Sequence, residues 1–358
     1  MKKHIKIITA ILVLTFLLFS LMGCSQNLGV SIQEQKPGTS MPKEINIGIL
    51  RVPNDETIAI SQKIYDKYFT DKGIKCNFIV FDSGVDANKA FASKSIDFAT
   101  MGNTNAIVAL STGLDVELIW LHEVLGSIEA LAVKENLNIN RVEELEGMKI
   151  ATTFASTSHY ILLNALREAG IEGKVQLLDM QTADIVAAWE RGDIQAAYTW
   201  QPSLGKLLEK GGKVIVSSED MIKRGYVTAN VKLVRGEFAQ KYPDLVASLV
   251  AYLAEGALIY SENPLEGGKI VSGELQINPE DALKQMEGAI WLSPEEQLDS
   301  DYLGTSNLIG KFSVIMKDTA DFLAQQKFIS KVPTQEEFNN FINPIYIERA
   351  IQVLGLNN

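Results

Sequence analysis

Cysteine and histidine are scarce: the 358-residue chain holds two cysteines and three histidines. That stock is too small for a Cys/His zinc cluster or a disulfide framework. The phosphate-cradling Gly-x-x-x-x-Gly-Lys loop, the Gly-x-Gly-x-x-Gly turn, His-Glu-x-x-His and the Gly-x-Ser-x-Gly elbow are all missing as well. A chain this long without such machinery favours binding over chemistry, and nothing in it calls for a cofactor or a metal. Positive charge is also short, with 33 Lys and Arg against 44 Asp and Glu, a net charge of −11. An acidic body argues against nucleic acid and anionic lipid headgroups as partners.

Part of the basic charge lies outside the expected fold. Lys2, Lys3 and Lys6 precede an apolar run over 7–22 that ends in Leu21-Met22-Gly23-Cys24. A basic start, an apolar middle and small residues at the end describe a secretory signal peptide, here over 1–23. Leu-x-Gly-Cys is the lipobox pattern, so Cys24 is the expected lipidation site. The chain is then exported and lipid-anchored to the outer face of the cytoplasmic membrane, or periplasmic. Cleavage removes three lysines and no acid, which takes the net charge from −11 to −14. Residues 24–43, rich in Ser, Gln, Gly and Pro, are the expected lipidated tether. Cys76 is then left without a disulfide partner and is expected to be an inert, buried thiol.

From residue 45 short apolar strands alternate with amphipathic helices, which predicts parallel sheets and an α/β class. Strands are expected near 45–50, 76–81, 96–100, 116–122, 129–133, 149–152, 175–179, 195–199 and 213–217. Beyond Phe238 the pattern is almost wholly helical, with breaks at Pro243, Pro264, Pro279 and Pro294. One echo stands out: the segment from Phe91 to Asn103 resembles that from Trp189 to Gln201, Ile96 matching Ile194 at an offset of 98. In each, a helix ends, a short apolar strand follows, and a polar loop opens another helix. Two similarly built lobes facing one another would line one cleft with both sets of loops, since ligands of such sheets sit beyond the strands' carboxyl ends.

The turn Ala155-Ser156-Thr157-Ser158-His159-Tyr160 joins a strand to a helix. Ser156, Thr157 and Ser158 are all N-cap residue types, and a helix N-terminus presents unpaired N–H groups and partial positive charge. Alone, the turn fits an ordinary capped helix as well as an oxyanion seat. Trp200 follows an apolar strand and either walls the cleft or sits in the core, whereas Trp189 falls mid-helix and is expected in the core.

The segments that carry a family resemblance are Phe81-Asp82-Ser83-Gly84, Leu125-Gly126-Ser127-Ile128-Glu129-Ala130-Leu131, Ser156-Thr157-Ser158-His159-Tyr160, Ala187-Ala188-Trp189-Glu190-Arg191-Gly192-Asp193-Ile194, Ala197-Tyr198-Thr199-Trp200-Gln201-Pro202 and Trp291-Leu292-Ser293-Pro294-Glu295-Glu296-Gln297. Together, over 45–303, they resemble the solute-binding proteins of sulfonate-type ABC importers, taurine binders among them, in the wider nitrate/sulfonate/bicarbonate family. The resemblance implies a type II periplasmic-binding-protein fold, with two α/β lobes and a two-strand hinge. Lobe 1 would span 44–132 plus 231–358, and lobe 2 133–230. It also implies a monomer that hands a small sulfonate such as taurine to a permease and ATPase subunits.

A taurine site needs anion donors at one end and a carboxylate with aromatics at the other. The expected sulfonate donors are Ser156, Thr157 and Ser158 from one lobe, with Gly102, Asn103 and Thr104 from the other. His159 either donates too or packs behind the turn. Trp200 is expected against the ammonium. Taurine binders carry an aspartate where this chain has Asn230, so either Glu129 holds the amine or the ligand is a sulfonate without one. Glu129 is otherwise a hinge carboxylate satisfied by backbone. The competing classes are a binder of another anion such as nitrate, a sensor or adhesion lipoprotein, and an enzyme of the same fold like the thiamine-precursor synthases. The last would require a cysteine-rich loop that Cys76 alone does not supply.

Overall fold

The computed structural model describes residues 40–356. The expected signal peptide, Cys24 and all but the last few residues of the tether lie outside them.

Two sheets organise the chain. In the first, the strand order is β11-β4-β10-β3-β1-β2, from β1 (Glu44–Leu50), β2 (Lys75–Phe81), β3 (Phe98–Gly102), β4 (Val116–Leu125), β10 (Ala229–Arg235) and β11 (Ala289–Ile290). In the second it is β7-β6-β8-β5-β9, from β5 (Glu129–Lys134), β6 (Lys149–Thr152), β7 (Gln176–Asp179), β8 (Ala196–Trp200) and β9 (Gly212–Ser217). Each contains a parallel trio, β2-β1-β3 or β7-β6-β8, followed by one antiparallel strand, β10 or β5. Helices cover the sheets, so the central strand Phe-Ala-Thr-Met-Gly of β3 is buried along its whole length.

The echo is structural. β3 and β8 occupy the same third place in their sheets, and Phe98 and Gly102 sit 98 residues before Ala196 and Trp200. The chain crosses between sheets twice, from β4 to β5 through residues 126–128 and from β9 to β10 through 218–228.

After β10 the chain is mainly helical. Pro243, Pro264, Pro279 and Pro294 each stand at the first position of a helix (Pro243–Glu262, Pro264–Leu275, Pro279–Glu287, Pro294–Gln297), where a missing N–H costs nothing. The Pro243–Glu262 helix is long and apolar enough to cross a membrane, but 67% of its most apolar stretch is buried within the protein. It is a core helix. The C-terminal segment also reaches the second sheet's helix: Phe322 packs edge-on against Tyr160 and lies under the Arg167 guanidinium, and Phe328 packs edge-on against His159. Trp189 is buried as expected, with its indole N–H donated to the Lys210 carbonyl. Cys76 is half-buried in β2 rather than fully covered, and burial pushes its thiol up to about 12, which leaves it protonated and inert.

Candidate ligand-binding cleft

A cleft lies between the sheets at their strand ends, with about 440 Å³ of space between its atoms, part of it open solvent. Three helix N-termini meet there. Gly84–Ala92 is preceded by Ser83, Asn103–Ser111 by Gly102, and Thr157–Glu168 by Ser156, and all three N-cap residues have extended backbones and line the cleft. The first N–H groups of each helix have no intrahelical partner, and each end carries partial positive charge. Leu50, Val52, Leu125 and Ile128 form an apolar wall, and among the described residues no lysine or arginine lines the space. The cleft therefore offers an anion neutral donors and dipoles rather than a cationic side chain.

The hydroxyls are arranged otherwise than the turn suggests. Ser156 Oγ donates to the Thr153 carbonyl at 2.6 Å and accepts from the His159 N–H at 3.2 Å, so it caps its own helix. Thr157 and Ser158 donate to Oε1 of Glu129 at 2.5 and 2.8 Å, while Ser218 and Thr228 donate to Oε2 at 2.6 and 3.2 Å. Four donors fill the roughly four lone-pair positions of a carboxylate. Glu129 is thus tied by side-chain hydroxyls rather than by backbone, and its acceptor capacity is spent. Burial pushes its carboxyl above the ordinary range, and the four hydroxyl bonds pull against that. What the Ser156 turn presents to the cleft is chiefly backbone N–H.

Of the expected residues, Gly102, Glu129, Ser156, Thr157, Trp200 and Asn230 line the cleft. Ser158, Asn103, Thr104 and His159 stand behind it. Asn103 Oδ1 accepts from the Ala229 N–H, and Thr104 Oγ1 reaches the Ala155 carbonyl at 3.5 Å. The His159 ring stacks on Phe154, meets Phe328 edge-on, and accepts the Ala155 N–H on Nδ1. Burial drives its pKa down to about 4, only partly opposed by Asp179, so the ring is neutral at pH 7.

Ser83, Gly84, Asn105 and Gln201 also line the cleft and were not anticipated as site residues. Ser83 Oγ is buried with no hydrogen-bond partner. The rule that drew attention to Ser156, an N-cap residue between a strand and a helix, applies equally to Ser83. Asn105 carries no comparable sequence signal.

Beneath the cleft floor lies a buried polar network. Asp55 accepts from the Trp120 indole at 2.7 Å and pairs with His122 Nδ1 at 2.5 Å. Glu56 pairs with the fully buried Lys232 at 2.5 Å and accepts from Thr100 at 2.5 Å. Burial pulls the His122 pKa down, but the Asp55 charge and hydrogen bond, with Glu56 and Glu123, outweigh it and leave it raised. Lys232 is lowered by burial, with Glu56 opposing. Asp55, His122 and Glu123 are close enough to share an ion. However, both His122 ring nitrogens are engaged, Nδ1 by Asp55 and Nε2 by Thr100, which leaves neither free for a metal. Asn230 donates from Nδ2 to Glu123 Oε1 at 2.5 Å.

A family model described as NMT1/THI5 like matches residues 64–267, more than half the chain. The chain belongs to the NMT1/THI5-like family. It is 32% identical over 313 residues to the taurine-binding periplasmic protein of Escherichia coli, covering 85% of this chain and 93% of that one. The crystal structure of the periplasmic aliphatic sulphonate binding protein SsuA from Escherichia coli matches with a TM-score of 0.68 at 20% identity, over 83% of this chain and 92% of that chain. The alkanesulfonate-binding protein SsuA from Xanthomonas axonopodis, solved bound to MOPS, matches with a TM-score of 0.69 at 18% identity, over 85% and 99%. These neighbours share the two-sheet periplasmic-binding-protein fold, in line with the type II expectation.

Proposed function

We propose that this NMT1/THI5-like protein captures a small organic sulfonate, taurine or a close relative, between its two lobes outside the cytoplasm and delivers it to the permease and ATPase subunits of an ABC importer. The observation that carries this reading is the convergence of three helix N-termini on one cleft, where, among the described residues, the Ser83 hydroxyl has no partner and no cationic side chain is present. A sulfonate is a weakly basic monoanion, which neutral N–H and O–H donors suit; hydrogen bonds to a charged group contribute about 1.5–3 kcal/mol each. The names of the relatives agree, being those of sulfonate- and taurine-binding proteins rather than enzymes.

In this reading the sulfonate faces the N–H groups after Ser83, Gly102 and Ser156. The rest of the ligand lies along Leu125 and Ile128 toward Trp200 and Asn230. Asn103, Thr104, Ser158 and His159 hold the donors in place from behind. The lobes meet at the crossings 126–128 and 218–228, a few residues before the boundaries expected at 132 and 230. The protein acts as a monomer, anchored through lipidated Cys24; Cys24→Ala is expected to move it from the membrane fraction to the soluble one.

Calorimetric titration with taurine, isethionate, a plain alkanesulfonate and nitrate tests the assignment. Binding of at least one sulfonate in the micromolar range or tighter, with nitrate silent, supports it. Binding of nitrate alone, or of none of the four, overturns it.

A further inference from the structure

Asn230 connects the cleft to the network beneath it. It lines the cleft, and its Nδ2 donates to Oε1 of Glu123 at 2.5 Å. Among the described residues none donates to its Oδ1, which is not buried and is left for a donor in the cleft. Glu123 is fully buried, and its second oxygen, Oε2, has no hydrogen-bond partner. Core carboxyls are rarely left with an oxygen unpaired, because the desolvation is not recovered. Glu129 cannot take a further donor without losing one of its four. Asp55 and Glu56 are already paired with His122 and Lys232, whereas Glu123 has no ion-pair partner among the described residues and keeps one oxygen unbonded.

We infer that Glu123, acting through Asn230, is the counter-charge for a cationic group on the ligand, so that the cleft selects an aminosulfonate over a sulfonate with no amine. The inference rests on reading the cleft as a sulfonate site and deepens it. An ammonium that donates to Asn230 Oδ1 polarises the amide, which makes Nδ2–H a stronger donor to Glu123. The same positive charge favours the ionised carboxylate. Glu123 then passes its proton to solvent, and one proton leaves for each ligand bound. A hydroxyl in the amine's place brings no charge and leaves Glu123 neutral.

The groups facing Glu123 fit this role. His122 beside it favours the anion, Asp55 and Glu56 oppose it, and Lys232 is already paired with Glu56. Burial is the dominant influence and holds the carboxyl at about 8, so it is mostly protonated at pH 7 in the absence of a cation.

The experiment is calorimetry at pH 7 in two buffers of different ionisation enthalpy, with taurine and isethionate, on the intact protein and on Glu123→Gln. The intact protein is expected to release close to one proton with taurine and none with isethionate. Glu123→Gln is expected to release none, to weaken taurine by about tenfold or more, and to change isethionate by less than about twofold. Taurine binding without proton release overturns the inference, as does a variant that weakens both ligands equally. If the variant does not fold, the two-buffer comparison on the intact protein decides alone. An intact protein silent to taurine, isethionate and a plain alkanesulfonate alike overturns the sulfonate reading itself, whereas one that binds only sulfonates without an amine overturns this inference alone.

Discussion

Asn105 donates its side-chain N–H to the backbone carbonyl of Ala155 at 2.9 Å, from the first turn of the Asn103–Ser111 helix to the turn before the Thr157–Glu168 helix. Ala155 has a left-handed backbone, φ 59°, unusual for a residue with a Cβ, and the turn it forms aims its carbonyl at the opposite lobe. On the proposed reading the lobes close around the ligand, and this bond belongs to the closed form. Asn105→Ala is expected to weaken sulfonate binding by roughly twofold to tenfold, the worth of one net hydrogen bond, with the thermal midpoint little changed. Calorimetry and a melting curve on the same sample separate the two effects.

Gly102 packs closely against Thr157 of the other lobe. A Cβ placed there would stand 2.7 Å from Thr157 Cγ2. Overpacking of this kind costs about 1–3 kcal/mol where neighbours cannot move. In Gly102→Ala the open form escapes that cost while the closed form bears it. Affinity should drop about tenfold or more, and solution scattering should record a smaller ligand-induced fall in radius of gyration for the variant than for the intact protein.

Trp200 pairs with Glu129 across β8 and β5 and lines the cleft. Trp200→Ala is expected to weaken ligand binding by about 1–3 kcal/mol through lost ring contact, without unfolding the protein. Ser158→Ala removes one of the four hydroxyls on Glu129 and should weaken binding less, through the position of the turn. Unchanged affinity in both variants would remove the site from this part of the cleft.

Two buried groups set opposite pH responses. His159 has a folded pKa of about 4 against 6.5 unfolded, so on acidification the unfolded chain binds a proton that the folded one refuses. Stability contributed by the neutral ring is present above pH 6.5 and is lost down to about 4, roughly 2–3 kcal/mol in all. Glu123 has a folded pKa of about 8 against 4.5, so the folded chain keeps a proton that the unfolded one has released. Its effect is therefore a loss of stability as pH rises from 4.5 to 8. The two windows overlap from pH 4.5 to 6.5 and offset one another there, so melting temperatures should be nearly flat up to about pH 6.5 and fall from there to about 8; Glu123→Gln should remove the alkaline fall, and His159→Asn should extend it down to about pH 4.5.

The architecture was legible in the sequence because its signals are local. The offset-98 echo is a repeated helix–turn–strand–loop, and it became β3 and β8 in matching places. Ser156 was legible as a helix N-cap for the same reason. Less of the site was legible, because side-chain direction depends on partners far along the chain. Thr157 and Ser158 turn toward Glu129, 28 and 29 residues away, and His122 finds Asp55 at a separation of 67. Hydroxyls in a turn announce a donor and not its acceptor. Asn230 illustrates the same limit: read alone it lacks the negative charge an ammonium seeks, yet the fold sets a carboxyl directly behind it.

The most direct test of the central claim is diffraction from crystals grown with 2-bromoethanesulfonate, recorded at the bromine absorption edge. The sulfonate is predicted at the N-termini of the Gly84–Ala92, Asn103–Ser111 and Thr157–Glu168 helices, within hydrogen-bonding distance of their first N–H groups and of Ser83 Oγ. The bromine peak is predicted toward Trp200 and Asn230. A bromine peak outside the cleft, or at Ser83 with the sulfonate against Trp200, would contradict the account.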